Sequence, residues 1–210
     1  MLKRFFSILG SLLIFLAGAA GCGQTTESAF GDPETFLSEH VEYSDETYAC
    51  TLLPWYSSAE DVQSLLSSYT KTVDEDDFKI YWGEGLLPDQ TPVRERAALG
   101  FRTENGTSEL VSISLMYFVE ETGEGRVREL MDSMKEQVKP WEEEEGVVLT
   151  GNEDDTMYQL YQSDTGSYIA LYCYPDLSED RGEEFPEVSW ERYSAVMIDL
   201  WHPQPRIIFD

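Results

Sequence analysis

Ala97-Ala98-Leu99-Gly100-Phe101-Arg102-Thr103, then Glu104-Asn105-Gly106-Thr107, then Leu110-Val111-Ser112-Ile113-Ser114-Leu115-Met116-Tyr117-Phe118-Val119 is the stretch that decides the fold class. Asn-Gly supplies the positive backbone angles of a tight hairpin turn, and it stands between two β-prone arms. In the second arm Val111, Ile113, Leu115, Tyr117 and Val119 alternate with Ser112, Ser114, Met116 and Phe118. One face is apolar and the other mixed, the pattern of an antiparallel strand packed on one side.

Downstream the period changes. Val127, Leu130, Met131, Met134 and Val138 recur at helical spacing behind Gly125, with Pro140 marking the end. Upstream, Ser57-Ser58-Ala59-Glu60-Asp61 is a helix start that feeds Val62, Leu65, Leu66 and Tyr69. Asp32-Pro33-Glu34 begins a short helix reaching about His40. Further strands are expected at Tyr48–Leu53, Phe78–Trp82, Met157–Gln162, Tyr168–Tyr174, Ala195–Trp201 and Arg206–Phe209. Hairpins interspersed with helices predict an α+β fold, an antiparallel sheet with helices packed on one face.

The N-terminus carries a different signal. Lys3 and Arg4 precede an apolar run from Phe5 to Ala17, followed by Gly18, Ala19, Ala20, Gly21 and Cys22. This is the layout of a secretory signal. The run falls short of the ~20 residues that span a bilayer. Ala19-Ala20-Gly21-Cys22 resembles the lipobox of bacterial lipoproteins, with alanine where leucine is commoner. The resemblance implies cleavage before Cys22 and lipid on its thiol, hence an extracytoplasmic protein held to the membrane by lipid. Residues 1–21 are then the signal peptide, 22–42 the lipid anchor and tether with its short helix, and 43–210 a single α+β domain.

The stretch from Pro54 through Leu66, with the strand and Asn-Gly hairpin that follow, is similar to small bacterial lipoproteins with a β-lactamase-inhibitor-protein-like helix-and-sheet module. It lacks the glycine such modules often carry after the helix. That resemblance implies a protein-binding or scaffold role.

Composition narrows the chemistry. With 14 Lys+Arg against 41 Asp+Glu the formal charge is −27, and loss of Lys3 and Arg4 with the signal takes it to −29. Such a surface repels phosphate backbones, so no nucleic-acid partner is expected; a basic protein or cell-envelope partner is favoured. There is no Gly-x-Ser-x-Gly elbow and no Ser-x-x-Lys at a helix start. His40 and His202, the two histidines, have no partner motif. No Cys-x-x-Cys or His-x-x-x-His points to zinc. The acidic runs Asp74–Asp77, Glu142–Glu145 and Glu153–Asp155 lack the spaced ligands and glycine of a calcium loop. No cofactor or metal is expected, and no catalytic residue is assigned.

Cys50 and Cys173 form either a disulfide, which an extracytoplasmic location permits, or two buried thiols. Among five tryptophans, Trp55 and Trp141 flank helix ends amid polar neighbours and are the candidate binding residues. The resulting expectation is a non-catalytic binding or accessory domain. The alternatives are a carbohydrate or small-ligand binder, which usually needs two lobes and more chain, and a small envelope hydrolase using paired carboxylates.

Overall fold

A computed structural model describes residues 30–66, 70–75, 78–82, 95–104, 106–119, 124–177 and 193–202. Its centre is the expected hairpin, β5 (Glu95–Glu104) and β6 (Thr107–Val119), in register from Glu104↔Thr107 to Glu95↔Tyr117 with an irregularity between Gly100 and Phe101. Gly106 turns at φ +83°, where a residue without Cβ is at ease. Around it the described residues form an eight-stranded antiparallel sheet that also holds β3 (Thr70–Glu75), β4 (Phe78–Trp82), β7 (Val147–Gly151), β8 (Met157–Gln162), β9 (Tyr168–Tyr174) and β10 (Ser194–Trp201). The order is β3-β4-β5-β6-β10-β9-β8-β7. The last of the described strands is thus inserted between β6 and β9, pairing Ile198 with Leu115 on one side and Leu171 on the other.

A second, two-stranded sheet pairs β1 (Val41–Ser44) with β2 (Thr47–Cys50). Its turn holds both central residues at positive φ, Asp45 at 49° and Glu46 at 61°. Asp45 is a usual residue for the first of these positions, whereas Glu46 stands where Gly is preferred.

Among the described residues three α-helices lie on one face of the large sheet: α1 (Pro33–His40), α2 (Ala59–Leu65) and α3 (Gly125–Val138). All five stripe residues of α3 are buried, and they join Val196, Ile198 and Leu200 of β10 and Ile169, Leu171 and Cys173 of β9 in one apolar cluster. Full burial of each such side chain contributes about 1.5–3 kcal/mol. The helix stops at Val138 and tightens into a 3₁₀ turn, Lys139–Glu143, because Pro140 has no N–H to continue the ladder. In α2 the Ser58 hydroxyl accepts from the Asp61 N–H at 3.2 Å, capping the start. Val62 and Leu66 enter the same cluster. The architecture is α+β, with helices on one face of an antiparallel sheet.

Several boundaries differ from expectation. The short helix assigned to the tether is a core element: Phe36 and Leu37 are 0% exposed, Phe30 packs edge-on against Phe36, and α1 lies on α3. The packed body therefore begins by Phe30 rather than Tyr43. Strand β2 ends at Cys50, short of Leu53. Three strands, β1, β3 and β7, were not anticipated. The expected strand Arg206–Phe209, the end of the second helix at 67–69 and the whole signal segment lie outside the described residues.

Candidate functional site

Side chains alternate across a strand, so β10 serves two faces. Val196, Ile198 and Leu200 point to the helices, while Ala195, Met197, Asp199 and Trp201 point to the other side. Asp199 is the one charged residue of the strand. Register places it beside Ala170 of β9 and Ser114 of β6, and Ser114 in turn beside Ala98 of β5. This row of small residues crosses the sheet with the carboxylate in it. The flanking rows are bulky. On one side lie Tyr161, Tyr168 and Trp201, on the other Tyr172, Met197 and Met116. Tyr168 stacks on Trp201 with centroids 5.9 Å apart, and Tyr172 stacks on Tyr174 at 6.3 Å. Register thus sets the carboxylate in a trough of small residues between rows of large ones, its floor largely covered, with Ala170 0% exposed.

Burial raises the Asp199 pKa above its usual 3.8, and a hydrogen bond from Ser114 opposes the shift. Its Oδ1 is buried without a hydrogen-bond partner among the described residues, although the residue as a whole is only partly buried. Burial likewise raises Tyr168 and Tyr172, and the Asp199 charge adds to both shifts, which sets the carboxylate close to the two phenols. Strands β6 to β10 contain no lysine or arginine; on the next strand, β5, register places Arg96 opposite Met116 and Arg102 opposite Glu109. Toward its other end the same face is filled by Ala98, Met116, Phe118 and Ala195 under Leu177 and Tyr193.

The two tryptophans singled out from sequence are brought to one neighbourhood, where they act as packing residues. Both are half-buried against the core. Trp55 Nε1 donates to the Tyr48 carbonyl at 2.7 Å, and the Trp141 ring lies 5.5 Å from that of Tyr48, itself 0% exposed. The neighbouring Tyr56 is 47% exposed and sits at φ +66°, a strained backbone for a bulky residue. It is held there by hydrogen bonds that tie the loop to β6, Tyr56 N to Leu110 O and Leu110 N to Ser57 O, both 3.0 Å. Its hydroxyl lies 3.3 Å from His202 Nδ1, with the Trp55 ring edge-on to the same imidazole at 5.5 Å. His40 lies on α1 against Phe36 and near Glu39, in no such cluster.

Cys50 and Cys173 are free thiols, 1% and 2% exposed, and burial pushes the pKa of both up. Of the acidic runs, Glu142 accepts from the Tyr158 hydroxyl and Asp155 pairs with Lys135. Among the described residues no group of three or more His, Cys, Asp or Glu is placed to hold a metal ion. A cleft of about 500 Å³ opens between the N-termini of α1 and α3 and the end of β6. Its one cation, Arg126, is already paired with Glu34 and Glu129. Cys22 and Trp190 lie outside the described residues. No described helix is long and apolar enough to cross a membrane.

Sequence reading missed Asp199, Tyr168, Tyr172 and Trp201 as a site. The one signal available was the lone carboxylate inside the apolar run Ala195–Trp201. No protein-family model, curated protein or solved structure matches the chain.

Proposed function

We propose that the protein is a lipoprotein, anchored through Cys22 outside the cytoplasm, whose folded body is a non-catalytic binding domain for a basic protein partner. The observation that carries the binding role is the sheet face opposite the helices, aromatic and methionine-rich around Asp199, with no lysine or arginine on the five strands β6 to β10. Aromatic side chains present large contact area at low entropic cost and dominate protein interfaces. The −27 formal charge steers cationic partners toward the body and raises their encounter rate. The anchor rests on the N-terminal signal and the small residues in register before Cys22.

Binding of defined basic and acidic polypeptides to the full chain in detergent tests the reading. A polylysine probe should bind, weaken as salt rises past a Debye length of ~8 Å, and lose affinity on Trp201→Ala. Equal binding of polylysine and polyglutamate would sink it. The stacked Tyr168–Trp201 pair also favours a second reading, a sugar-ring platform. Capture of a neutral oligosaccharide that ignores salt would select that one. For the anchor, Cys22→Ser should leave an unprocessed or soluble form; unchanged partition into detergent at the processed mass refutes it.

A further inference from the structure

Resting on the reading that this sheet face receives a basic polypeptide, we propose that Asp199 is the seat for a single lysine or arginine side chain of that partner. The cation would be laid in the trough between the Tyr168–Trp201 and Tyr172–Tyr174 stacks. A carboxylate removed from water is normally paired, either with a cation or with several hydrogen-bond donors. Asp199 has Ser114 beside it and a buried Oδ1 with no partner among the described residues. The strands that surround it, β6, β8, β9 and β10, contribute no Lys or Arg to supply the missing charge. A central strand retains such a group at a cost to stability, and a ligand cation removes that cost.

The walls suit the same ligand. Ring faces attract ammonium and guanidinium groups within about 6 Å of their centroids. Ala170 and Ser114 leave the row across the sheet low on either side of the carboxylate, while Tyr168, Trp201, Tyr172 and Met197 rise around it. A long aliphatic stem with a charge at its tip fits a trough of this shape, the stem against ring faces and the tip at the carboxylate. An anion is excluded by the carboxylate, and a neutral apolar group would leave it unpaired.

The probe is an acetylated, amidated tetralysine peptide titrated into the full chain in detergent, with isothermal titration calorimetry as the readout. Asp199→Asn should weaken binding at least about tenfold, in line with removing one partner of a desolvated charge pair. Glu143→Gln, which removes the same charge from an exposed position on the 3₁₀ turn, should change it less than about twofold. Tyr172→Leu keeps an apolar side chain in the strand and should weaken binding by about three- to thirtyfold through loss of a ring wall. It reads the seat independently of the carboxylate. Equal effects of Asp199→Asn and Glu143→Gln would overturn the seat. If Trp201→Ala still weakens the peptide in that case, the face reading stands and only the seat is wrong. Peptide that fails to bind the unaltered chain, or that ignores Trp201→Ala as well, overturns both.

Discussion

Asp199→Asn is expected to make the unliganded protein more stable at neutral pH. Desolvation is the leading cause that raises the Asp199 pKa, ahead of the opposing hydrogen bond from Ser114. A carboxyl whose folded pKa lies above its unfolded value holds its proton more tightly in the native state. The native state is therefore penalised as pH rises from the usual 3.8 through the raised folded value, and the penalty is complete above it. Below 3.8 both states are protonated and the penalty vanishes. A buried polar group left without a partner costs about 1–3 kcal/mol, more when charged. Asparagine keeps the shape and one acceptor oxygen, so only the part due to charge is relieved, about 1 kcal/mol. For a chain of this size that raises Tm by roughly 2–4 °C. Thermal melts of both forms followed by circular dichroism, from pH 3 to pH 8, measure the difference directly. The two curves should coincide in acid and separate with the variant above as pH rises. A variant equal to or less stable than the parent at pH 7, with a gap that does not vary with pH, refutes the picture of an unpaired buried carboxylate.

Gly146→Ala should destabilise by about 2–4 kcal/mol in urea denaturation. Gly146 sits at φ +80°, and a Cβ there would lie 2.9 Å from Gln162 Oε1. Gln162 cannot yield, being bonded to the Tyr43 hydroxyl, the Glu145 carbonyl and the Asp164 N–H, so left-handed strain adds to a lost hydrogen bond. Tyr48→Phe should fall between no change and a gain of about 1 kcal/mol, because the buried Tyr48 hydroxyl has no partner among the described residues; a loss above 1 kcal/mol in the same assay counts against it. Cys50 and Cys173 should react with iodoacetamide only as fast as the structure opens, and a rapid phase for either thiol in the native protein contradicts their burial.

What could be read from sequence was what strong local periodicity and turn chemistry specify. The Asn105-Gly106 hairpin, the α3 stripe and the Ser58 cap each declare themselves within about fifteen residues. The β1–β2 hairpin did not, because Glu46 adopts positive φ where the turn pattern calls for glycine. Strand β3, Thr-Lys-Thr-Val-Asp-Glu, has too little apolar alternation to stand out, and β7 is a five-residue edge strand behind a run of four glutamates. For the site the obstacle was register. Asp199 is visible in sequence as a charge in an apolar run, but its neighbours Tyr168 and Tyr172 meet it only because β10 inserts beside β9. No local pattern foretells that insertion. The polar neighbours that mark Trp55 and Trp141 in sequence say nothing about the direction a ring takes; both turn toward Tyr48.

The two faces of the sheet divide the demands on the chain. The helix face carries the apolar cluster and hence most of the folding free energy, which leaves the opposite face free to hold a residue that lowers stability. If that residue awaits a cation, stability and binding must respond to Asp199→Asn in opposite senses. A ligand that binds only the native state stabilises it by an amount set by its concentration over Kd. A tenfold loss of affinity forfeits about 1.4 kcal/mol of that stabilisation at saturating peptide. This is enough to offset the ~1 kcal/mol the variant gains when free. Melts in excess tetralysine should therefore abolish or invert the order of Tm seen without it. A purely structural Asp199 predicts instead that the variant keeps its advantage at every peptide concentration, and that outcome would return the residue to the core as an unexplained cost.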